Sequence, residues 1–249
     1  MRYNPGKHRL PVFNGFGLML VDKPLFWTSF DVVNFVRNRF NIPKVGHCGT
    51  LDPAATGLLV LVFGKFTSLS GKLSGQDKSY SATMMLGVET DSGDLDGKVI
   101  ARSDMPMPSN EQLEEAFAAF RGRQLQTPPM VSAVKVDGKK LYDLARKGVE
   151  VDREPREINI SRLEITGVDM PCCSFELDCS KGTYVRTLAA DIGKKLGNGA
   201  VLTALRRTRS GMFDVKNAVT IEKLKSFSQD DLGDYLASEL ARTAGVLTR

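Results

Sequence analysis

The order of apolar and polar positions along the chain predicts a succession of strands and helices. Residues 58–63 are apolar at every position, which is typical of a strand buried on both faces. In residues 80–86 apolar side chains alternate with more polar ones, which predicts a strand with one buried face. Similar patterns predict extended segments at residues 17–24, 158–168, 174–180 and 202–213, and helices that begin near Thr28 or Ser29, Ser109, Val185, Thr220 and Asp230.

The predicted strands and helices do not alternate strictly, so the sequence favours an α+β protein with a mixed, mainly antiparallel central sheet flanked by helices. The 249 residues, of which 42% are hydrophobic, can bury a sizeable core, and no low-complexity linker divides them. We therefore predict a single domain over residues 1–249, with a short helical tail at residues 220–249. Residues 126–151 contain little that resembles core and are predicted to project as a loop.

Composition argues against several classes of function. No apolar run approaches the roughly 20 residues that cross a bilayer, and the first residues lack the apolar centre of a secretion signal. The four cysteines have no metal-ligand spacing, and two histidines are too few for a histidine-rich metal site. The acidic turn at residues 90–97 lacks the closing glutamate of a calcium loop. The sequence thus predicts a cytoplasmic protein, outside the membrane, that uses neither a metal nor a cofactor.

The net charge of +5 favours a polyanionic partner, and the distribution of this charge is more informative than its size. Basic residues concentrate in two segments. One segment contains Lys135, Lys139, Lys140, Arg146 and Lys147, and the other contains Arg206, Arg207 and Arg209. On charge alone, a track for phosphate groups and an ordinary solvated helix face explain these segments equally well.

Asp52 lies in the most distinctive loop of the chain. Residues 46–57, Gly-His-Cys-Gly-Thr-Leu-Asp-Pro-Ala-Ala-Thr-Gly, place its carboxylate just before the buried strand predicted at residues 58–63. Glycine adopts backbone angles that other residues resist and proline fixes one dihedral angle, so this loop can hold the carboxylate in one position. A tight turn in which the aspartate binds only its own backbone is the ordinary alternative. A structural role and a binding role are equally open for His47 in the same loop.

Residues 180–187, Ser-Lys-Gly-Thr-Tyr-Val-Arg-Thr, connect a predicted strand to a predicted helix. The backbone N–H groups at the start of a helix attract a phosphate or a carboxylate. One interpretation is a plain helix N-terminus with a surface arginine. The other is a site in which Tyr184 lies near a substrate while Arg186 lies beside Asp52, keeps its carboxylate ionised and fixes its direction.

Taken in order, these stretches resemble the TruB-type tRNA pseudouridine synthases over most of the chain. The resemblance rests on the order and spacing of several motifs more than on any one of them. The motifs are Leu20-Val21-Asp22-Lys23-Pro24, residues 46–57, Asp77-Lys78-Ser79-Tyr80, residues 90–97, residues 128–135 with 141–148, residues 179–187 and Leu205-Arg206-Arg207.

The resemblance implies a pseudouridine synthase fold and a role for each residue around the loop of residues 46–57. Asp52 would be the catalytic carboxylate, and Arg186 would be its ion-pair partner. Lys23 would support the catalytic loop. His47 would fill the space that the flipped nucleotide leaves.

The resemblance also implies the contacts with substrate. Tyr80 would stack on the target uracil, Tyr184 would lie against the sugar, and Leu205 would help to wall the pocket. The loop at residues 126–151 would be a thumb that grips RNA. The RNA-binding residues would be Lys135, Lys139, Lys140, Arg146, Lys147 and Arg206.

By the same resemblance, the chain isomerises uridine to pseudouridine at the conventional position 55, in the T-arm of tRNA. The reaction breaks the glycosidic bond, turns the uracil and joins C5 to C1′, so it needs no redox partner and no group donor. Attack by Asp52 on C1′ and elimination through C2′ are both compatible with the sequence. The residues after Arg207 are too few for the RNA-binding PUA domain of many relatives, so we expect no such domain and no guide RNA. A monomer is the default expectation.

Two other functions compete with this one. An RNA chaperone with the same fold and little turnover would need none of the combination of Asp52, Tyr80, Tyr184 and Arg186, which disfavours it. A glycosidase acting on a small substrate would need a second carboxylate held in a fixed position. No other carboxylate in the sequence lies in a loop as rich in glycine and proline as that of Asp52.

Overall fold

The computed structural model describes residues 10–130, 135–136, 139–140 and 151–247. The chain divides into two compact units. The first unit comprises residues 1–76 and 208–249, and the second comprises residues 77–207. The single domain over residues 1–249 stays a prediction beside this division.

The described residues form an α+β fold with a mainly antiparallel sheet, as the sequence predicts. The strands are β1 (Gly17–Lys23), β2 (Val45–His47), β3 (Ala55–Phe63), β4 (Lys78–Leu86), β5 (Val88–Thr90), β6 (Val99–Arg102), β7 (Gly122–Gln126), β8 (Lys135–Val136), β9 (Lys139–Lys140), β10 (Arg156–Asp169), β11 (Cys172–Cys179), β12 (Ala200–Ser210), β13 (Phe213–Asp214) and β14 (Val219–Thr220). The α-helices are α1 (Ser29–Arg39), α2 (Ser70–Ser74), α3 (Asn110–Ala118), α4 (Val185–Leu196), α5 (Ile221–Ser226) and α6 (Gln229–Leu247).

The sheet of the first unit is covered on both faces. Strand β1 pairs antiparallel with β3 and parallel with β14, and β2 pairs with β3. Because successive side chains of a strand point to opposite faces, Leu59 and Leu61 pack in one apolar cluster with residues of α1 and α6, whereas Leu58 and Val60 pack in another with Cys48. This burial explains the continuous apolar run at residues 58–63 and confirms the predicted buried strand.

The second unit is built on an antiparallel sheet with the order β4, β11, β10 and β7, and β12 lies beside β4. Every second residue of β4 is buried, which confirms the predicted strand with one buried face. The helices α3 and α4 contribute to the same apolar cluster as this strand. Gly197 ends α4 in a left-handed conformation, as its position after the last apolar residue predicts.

The predicted helix starts are confirmed, and one ambiguity is resolved. The Thr28 hydroxyl accepts a hydrogen bond from the backbone N–H of Asp31, and the Asp31 carboxylate accepts one from the N–H of Thr28. Ser109 forms the same reciprocal pair with Gln112 at the start of α3. Thr28 is therefore the cap, and Ser29 is the first residue of α1. The Ser29 hydroxyl is not used for capping and bonds Leu51 instead.

None of the four cysteines forms a disulfide, and Cys48, Cys173 and Cys179 are buried. Burial raises the pKa of the Cys173 thiol to about 11 and that of the Cys179 thiol to about 12. Both thiols are therefore protonated at neutral pH. Among the described helices, none is both long enough and apolar enough to cross a membrane.

Only part of the predicted thumb falls within the described residues. Strand β8 pairs antiparallel with β9, so that the backbone of Lys135 lies opposite that of Lys140. Arg146 and Lys147 lie outside the described residues. The RNA-binding role of Lys135, Lys139, Lys140, Arg146 and Lys147 stays a prediction.

Candidate active site

Asp52 lies in the loop that connects β2 to β3. Gly49 and Gly57 have φ values of 93° and 98°, in the left-handed region that residues with a Cβ atom rarely occupy. The backbone N–H of Ala55 donates to the Asp52 carbonyl oxygen at 3.0 Å, which closes a turn around the carboxylate. The glycines let the backbone take these angles, and the turn and the ring of Pro53 restrict the loop, as the sequence predicts.

Ser29 holds the residue that precedes Asp52. Its hydroxyl accepts a hydrogen bond from the Leu51 N–H at 2.9 Å and donates one to the Leu51 carbonyl oxygen at 3.1 Å. Ser29 and Leu51 are both buried, so water does not compete for these bonds. Sequence reasoning missed this residue, although a second hydroxyl directly after a threonine cap was a signal that could have found it.

Lys23 joins the end of β1 to the Asp52 loop. This lysine is fully buried, and its ammonium group donates to the carbonyl oxygens of Trp27 at 2.6 Å, Pro24 at 3.0 Å and Pro53 at 3.4 Å. The backbone N–H of Phe26 also donates to the Pro53 oxygen, at 2.9 Å. Because Pro53 follows Asp52, these bonds fasten the segment after β1 to the Asp52 loop.

Arg186, in the first turn of α4, is buried at 4% exposure. Its Nη1 donates to the Ser92 carbonyl oxygen at 2.9 Å, and its Nε lies 3.5 Å from the Asp94 carboxylate. Asp94 also accepts hydrogen bonds from the Ser92 hydroxyl and from the N–H of Asp96. The sequence excludes the acidic turn at residues 90–97 as a calcium loop. In the structure this turn binds the Arg186 guanidinium and holds it in place.

Gln126 fixes the backbone at Tyr184. Its Oε1 accepts a hydrogen bond from the Tyr184 N–H at 2.8 Å, and its Nε2 donates to the Tyr184 carbonyl oxygen at 3.1 Å. Gln126 is buried at the end of β7, and Tyr184 occupies the N-cap position of α4. Sequence reasoning missed Gln126 because a lone glutamine carries no motif, although its position before two prolines marked the end of a strand.

Tyr80 and Leu205 belong to the same part of the second unit. Tyr80 lies opposite Leu177 in the pairing of β4 with β11, and only 8% of it is exposed. Leu205, on β12, packs against the apolar cluster that contains Tyr80 and Val185. Tyr80 and Leu205 thus border the same apolar cluster of the second unit, and their contact with a base stays a prediction.

The remaining predicted residues are placed as follows. His47 is half-buried and lies opposite Leu61 in the pairing of β2 with β3. Arg206 is half-buried on β12, and Arg207 is buried. The ion pair between Asp52 and Arg186, like the RNA contact of Arg206, stays a prediction.

The first unit thus contains the Asp52 loop, which Ser29 and Lys23 hold, and the second contains the Arg186 guanidinium, which the turn at residues 90–97 holds. A positioned carboxylate can act as a nucleophile or as a base. Within residues 10–130 and 151–243, no group of three or more His, Cys, Asp or Glu side chains has an arrangement that could hold a metal ion.

Comparison with known proteins gives consistent matches along the chain. Residues 37–185 match the model of the TruB family pseudouridylate synthase N-terminal domain, and residues 186–242 match that of the tRNA pseudouridylate synthase B C-terminal domain. The tRNA pseudouridine synthase B of Opitutus terrae is 49% identical over 84% of this chain and 87% of its own length. That of Endomicrobium trichonymphae is 45% identical over 90% of this chain and 95% of its own.

Among solved structures, the chain resembles one in a Cbf5–Nop10–Gar1 complex, with a TM-score of 0.69 and 29% identity. The match covers 89% of this chain and 58% of the other, so this chain spans less than two thirds of that longer one. The fold is therefore the pseudouridine synthase fold that the sequence predicts. From the family matches and the identity to its relatives, the chain belongs to the TruB family of pseudouridylate synthases.

Proposed function

We propose that this chain converts uridine to pseudouridine at position 55 in the T-arm of tRNA, with Asp52 as the catalytic carboxylate. The observation that carries the proposal is the pair of adjoining family matches, which together span residues 37–242. The relatives that match at 45% and 49% identity are named for action on tRNA. We keep tRNA without a guide RNA as the proposed partner, a monomer as the proposed state, and the cytoplasm as the proposed compartment.

The reaction is balanced without an external donor. The N1–C1′ bond breaks, the uracil turns within the site, and a C5–C1′ bond forms. The proton on C5 is then released, and N1 gains a proton. Asp52 would act as an ionised carboxylate, either by bonding to C1′ or by removing a proton from C2′. The target base first leaves its stack, at a cost of a few kcal/mol that contacts with the protein offset.

The residues around Asp52 suit this reaction because they hold the loop that carries the carboxylate. The hydrogen bonds of Ser29 and Lys23 restrict the loop, which reduces the reorganisation needed when charge develops at the sugar. Tyr80 and Leu205 would supply the apolar side of the base pocket, and Tyr184 the side of the sugar. Arg186 would pair with Asp52, as the family resemblance implies.

The proposal is tested by mapping the product in a full-length tRNA transcript. After incubation with the chain, carbodiimide adducts of pseudouridine are located as stops in primer extension. We expect one new stop, at position 55, and none in a transcript that carries cytidine there. A stop at another position would contradict the proposed substrate site. Binding of the transcript without any stop would favour the chaperone alternative.

Loss of the Ser29 hydroxyl is expected to slow catalysis without weakening RNA binding. In Ser29→Ala, the buried N–H and carbonyl groups of Leu51 lose their partner, which costs about 1–3 kcal/mol of unfolding free energy. The loosened loop misplaces Asp52, and kcat should fall by about tenfold to a hundredfold. The control is Ser68→Ala, since Ser68 belongs to the same unit, is exposed, and donates its hydroxyl to the nearby Lys65 carbonyl oxygen. Equal kcat values for the two variants would contradict a positioning role.

A second variant tests the two hydrogen bonds by which Gln126 holds the backbone of Tyr184. Gln126→Glu keeps the shape of the side chain but replaces its donor by a carboxylate oxygen that faces the Tyr184 carbonyl. We expect kcat to fall by about tenfold as the Tyr184 backbone shifts. Gln124→Glu is the control, because Gln124 lies on the same strand and its amide bonds the Phe120 carbonyl instead. Steady-state tritium release gives kcat for both, and a similar loss in both would assign the effect to the added charge.

A further inference from the structure

Phe26 has a conformation and an exposure that neither packing nor the roles above explain. Its φ is +65°, and among the described residues only Asn41 is a second non-glycine residue with positive φ. Asparagine tolerates this region because of its short polar side chain, whereas a bulky residue there is a true outlier. The Phe26 side chain is also 77% exposed, so burial of the ring does not compensate for the strain.

Hydrogen bonds on both sides of Phe26 hold its strained backbone in place. The Phe26 N–H donates to the Pro53 carbonyl oxygen at 2.9 Å, and the ammonium group of Lys23 bridges the Trp27 and Pro53 carbonyl oxygens. The next ring along the chain, Trp27, packs edge-on against Phe35. The chain around Phe26 is thus anchored to the residue that follows Asp52, while the side chain is exposed to solvent.

The chain segment that contains Phe26 is apolar and has no formal charge of its own. Residues 24–30 contain no acidic or basic side chain, and Leu25 and Phe30 are exposed at 46% and 60%. Such a surface does not bind phosphate groups, which require basic side chains or free N–H groups. It does suit the face of a nucleobase, because every base stacks on an aromatic ring regardless of sequence.

We propose that the Phe26 ring is a platform on which a nucleobase of the RNA stacks, beside the uridine that the Asp52 loop receives. This inference rests on the proposed function, since that function brings an RNA with an unstacked base to Asp52. The base that neighbours an extruded uridine loses a stacking partner. A fixed aromatic ring next to the loop replaces that partner, and strained backbone held at a functional site is the common setting for such a role.

The test separates the ring from the strained backbone. Phe26→Ala removes the ring and keeps a Cβ atom at positive φ, whereas Phe26→Gly removes both the ring and the strain. We expect both variants to bind a T-arm stem-loop about tenfold more weakly than the wild type, and Phe26→Trp to bind as the wild type does. Phe26→Gly should nevertheless have a higher Tm than Phe26→Ala. Ile100→Ala, which truncates an exposed apolar residue of β6, is the control and should bind as the wild type does.

The salt dependence identifies the kind of contact. Stacking releases no counterions, so the ratio of the Kd values of Phe26→Ala and wild type should stay constant between about 50 and 200 mM salt. A ratio that falls towards one as salt rises would overturn stacking. Unchanged affinity in Phe26→Ala would also overturn it and would point to a protein as the occupant of this surface.

A spectroscopic measurement detects the stack itself. Trp27 is the single tryptophan of the chain, so the double variant Phe26→Trp with Trp27→Phe has one indole, at position 26. Saturating stem-loop should quench its fluorescence, and unquenched emission would contradict the proposal. Tritium release by the wild type is measured alongside. If release fails while Phe26→Ala still weakens binding, the proposed function falls and the stacking surface stands.

Discussion

Asp52→Asn is expected to lower the rate of pseudouridine formation by about a thousandfold or more. The amide is close in size to the carboxylate but can neither bond to C1′ nor take a proton from C2′, so both chemical routes are lost. The carbonyl oxygen of residue 52 still accepts the Ala55 N–H, because that bond involves only backbone. The loop should therefore keep its conformation, and the measurement is the single-turnover rate with enzyme in excess over labelled tRNA.

Binding and folding serve as the controls for this variant. The Kd for tRNA should stay within about threefold of the wild type, since the carboxylate acts mainly in the transition state. Asp104→Asn removes an exposed carboxylate elsewhere and should leave the rate unchanged. A slow rate in Asp52→Asn accompanied by a large loss of tRNA affinity would instead assign Asp52 to binding.

Arg186→Met is expected to lower the free energy of unfolding by about 3–5 kcal/mol. Asp94 is buried beside the guanidinium, and removal of Arg186 leaves a buried carboxylate without this cation. Asp94→Asn in the same chain removes that uncompensated charge, so the double variant should recover much of the lost stability. Urea unfolding of the two single variants and the double variant gives the coupling energy directly.

Activity separates the structural part of Arg186 from its proposed part in catalysis. If the guanidinium also serves Asp52, the double variant recovers stability but stays inactive. Recovery of both stability and turnover in the double variant would show that Arg186 acts only as the partner of Asp94. If Arg186→Met and the double variant lose the same unfolding free energy, Asp94 is not the group that Arg186 stabilises, and the role given to the acidic turn is wrong.

The parts of the fold that the sequence predicts well are those whose cause is local. The strand at residues 58–63 and the alternation in β4 follow from side-chain period, and the caps at Thr28 and Ser109 follow from hydroxyl chemistry within four residues of the helix start. The loop of Asp52 is predictable in the same way, because its glycines and proline act on their own backbone.

The parts that the sequence does not reveal depend on contacts between distant positions. Ser29 reaches a residue 22 positions away, and Gln126 one 58 positions away. Arg186 binds the turn at Ser92, 94 positions away, and no local pattern encodes that pairing. Local reasoning excluded the acidic turn as a calcium loop but could not name Arg186 as the partner of Asp94.

The strain at Phe26 is invisible to sequence patterns for a different reason. A phenylalanine in an apolar segment predicts burial, whereas the structure exposes its ring and places its backbone at positive φ. The hydrophobicity of a side chain does not determine the backbone conformation of its residue. Only the structure therefore shows that Phe26 is exposed and has a positive φ.

The most direct test of the account is tritium release from a T-arm stem-loop labelled at C5 of its uridines, with the wild type beside Asp52→Asn. Only formation of the C5–C1′ bond forces the loss of the C5 hydrogen in the proposed reaction. We predict release by the wild type and none by Asp52→Asn, with both proteins binding the stem-loop. Binding without release by the wild type would contradict the enzymatic account, and release by both proteins would contradict the assignment of Asp52.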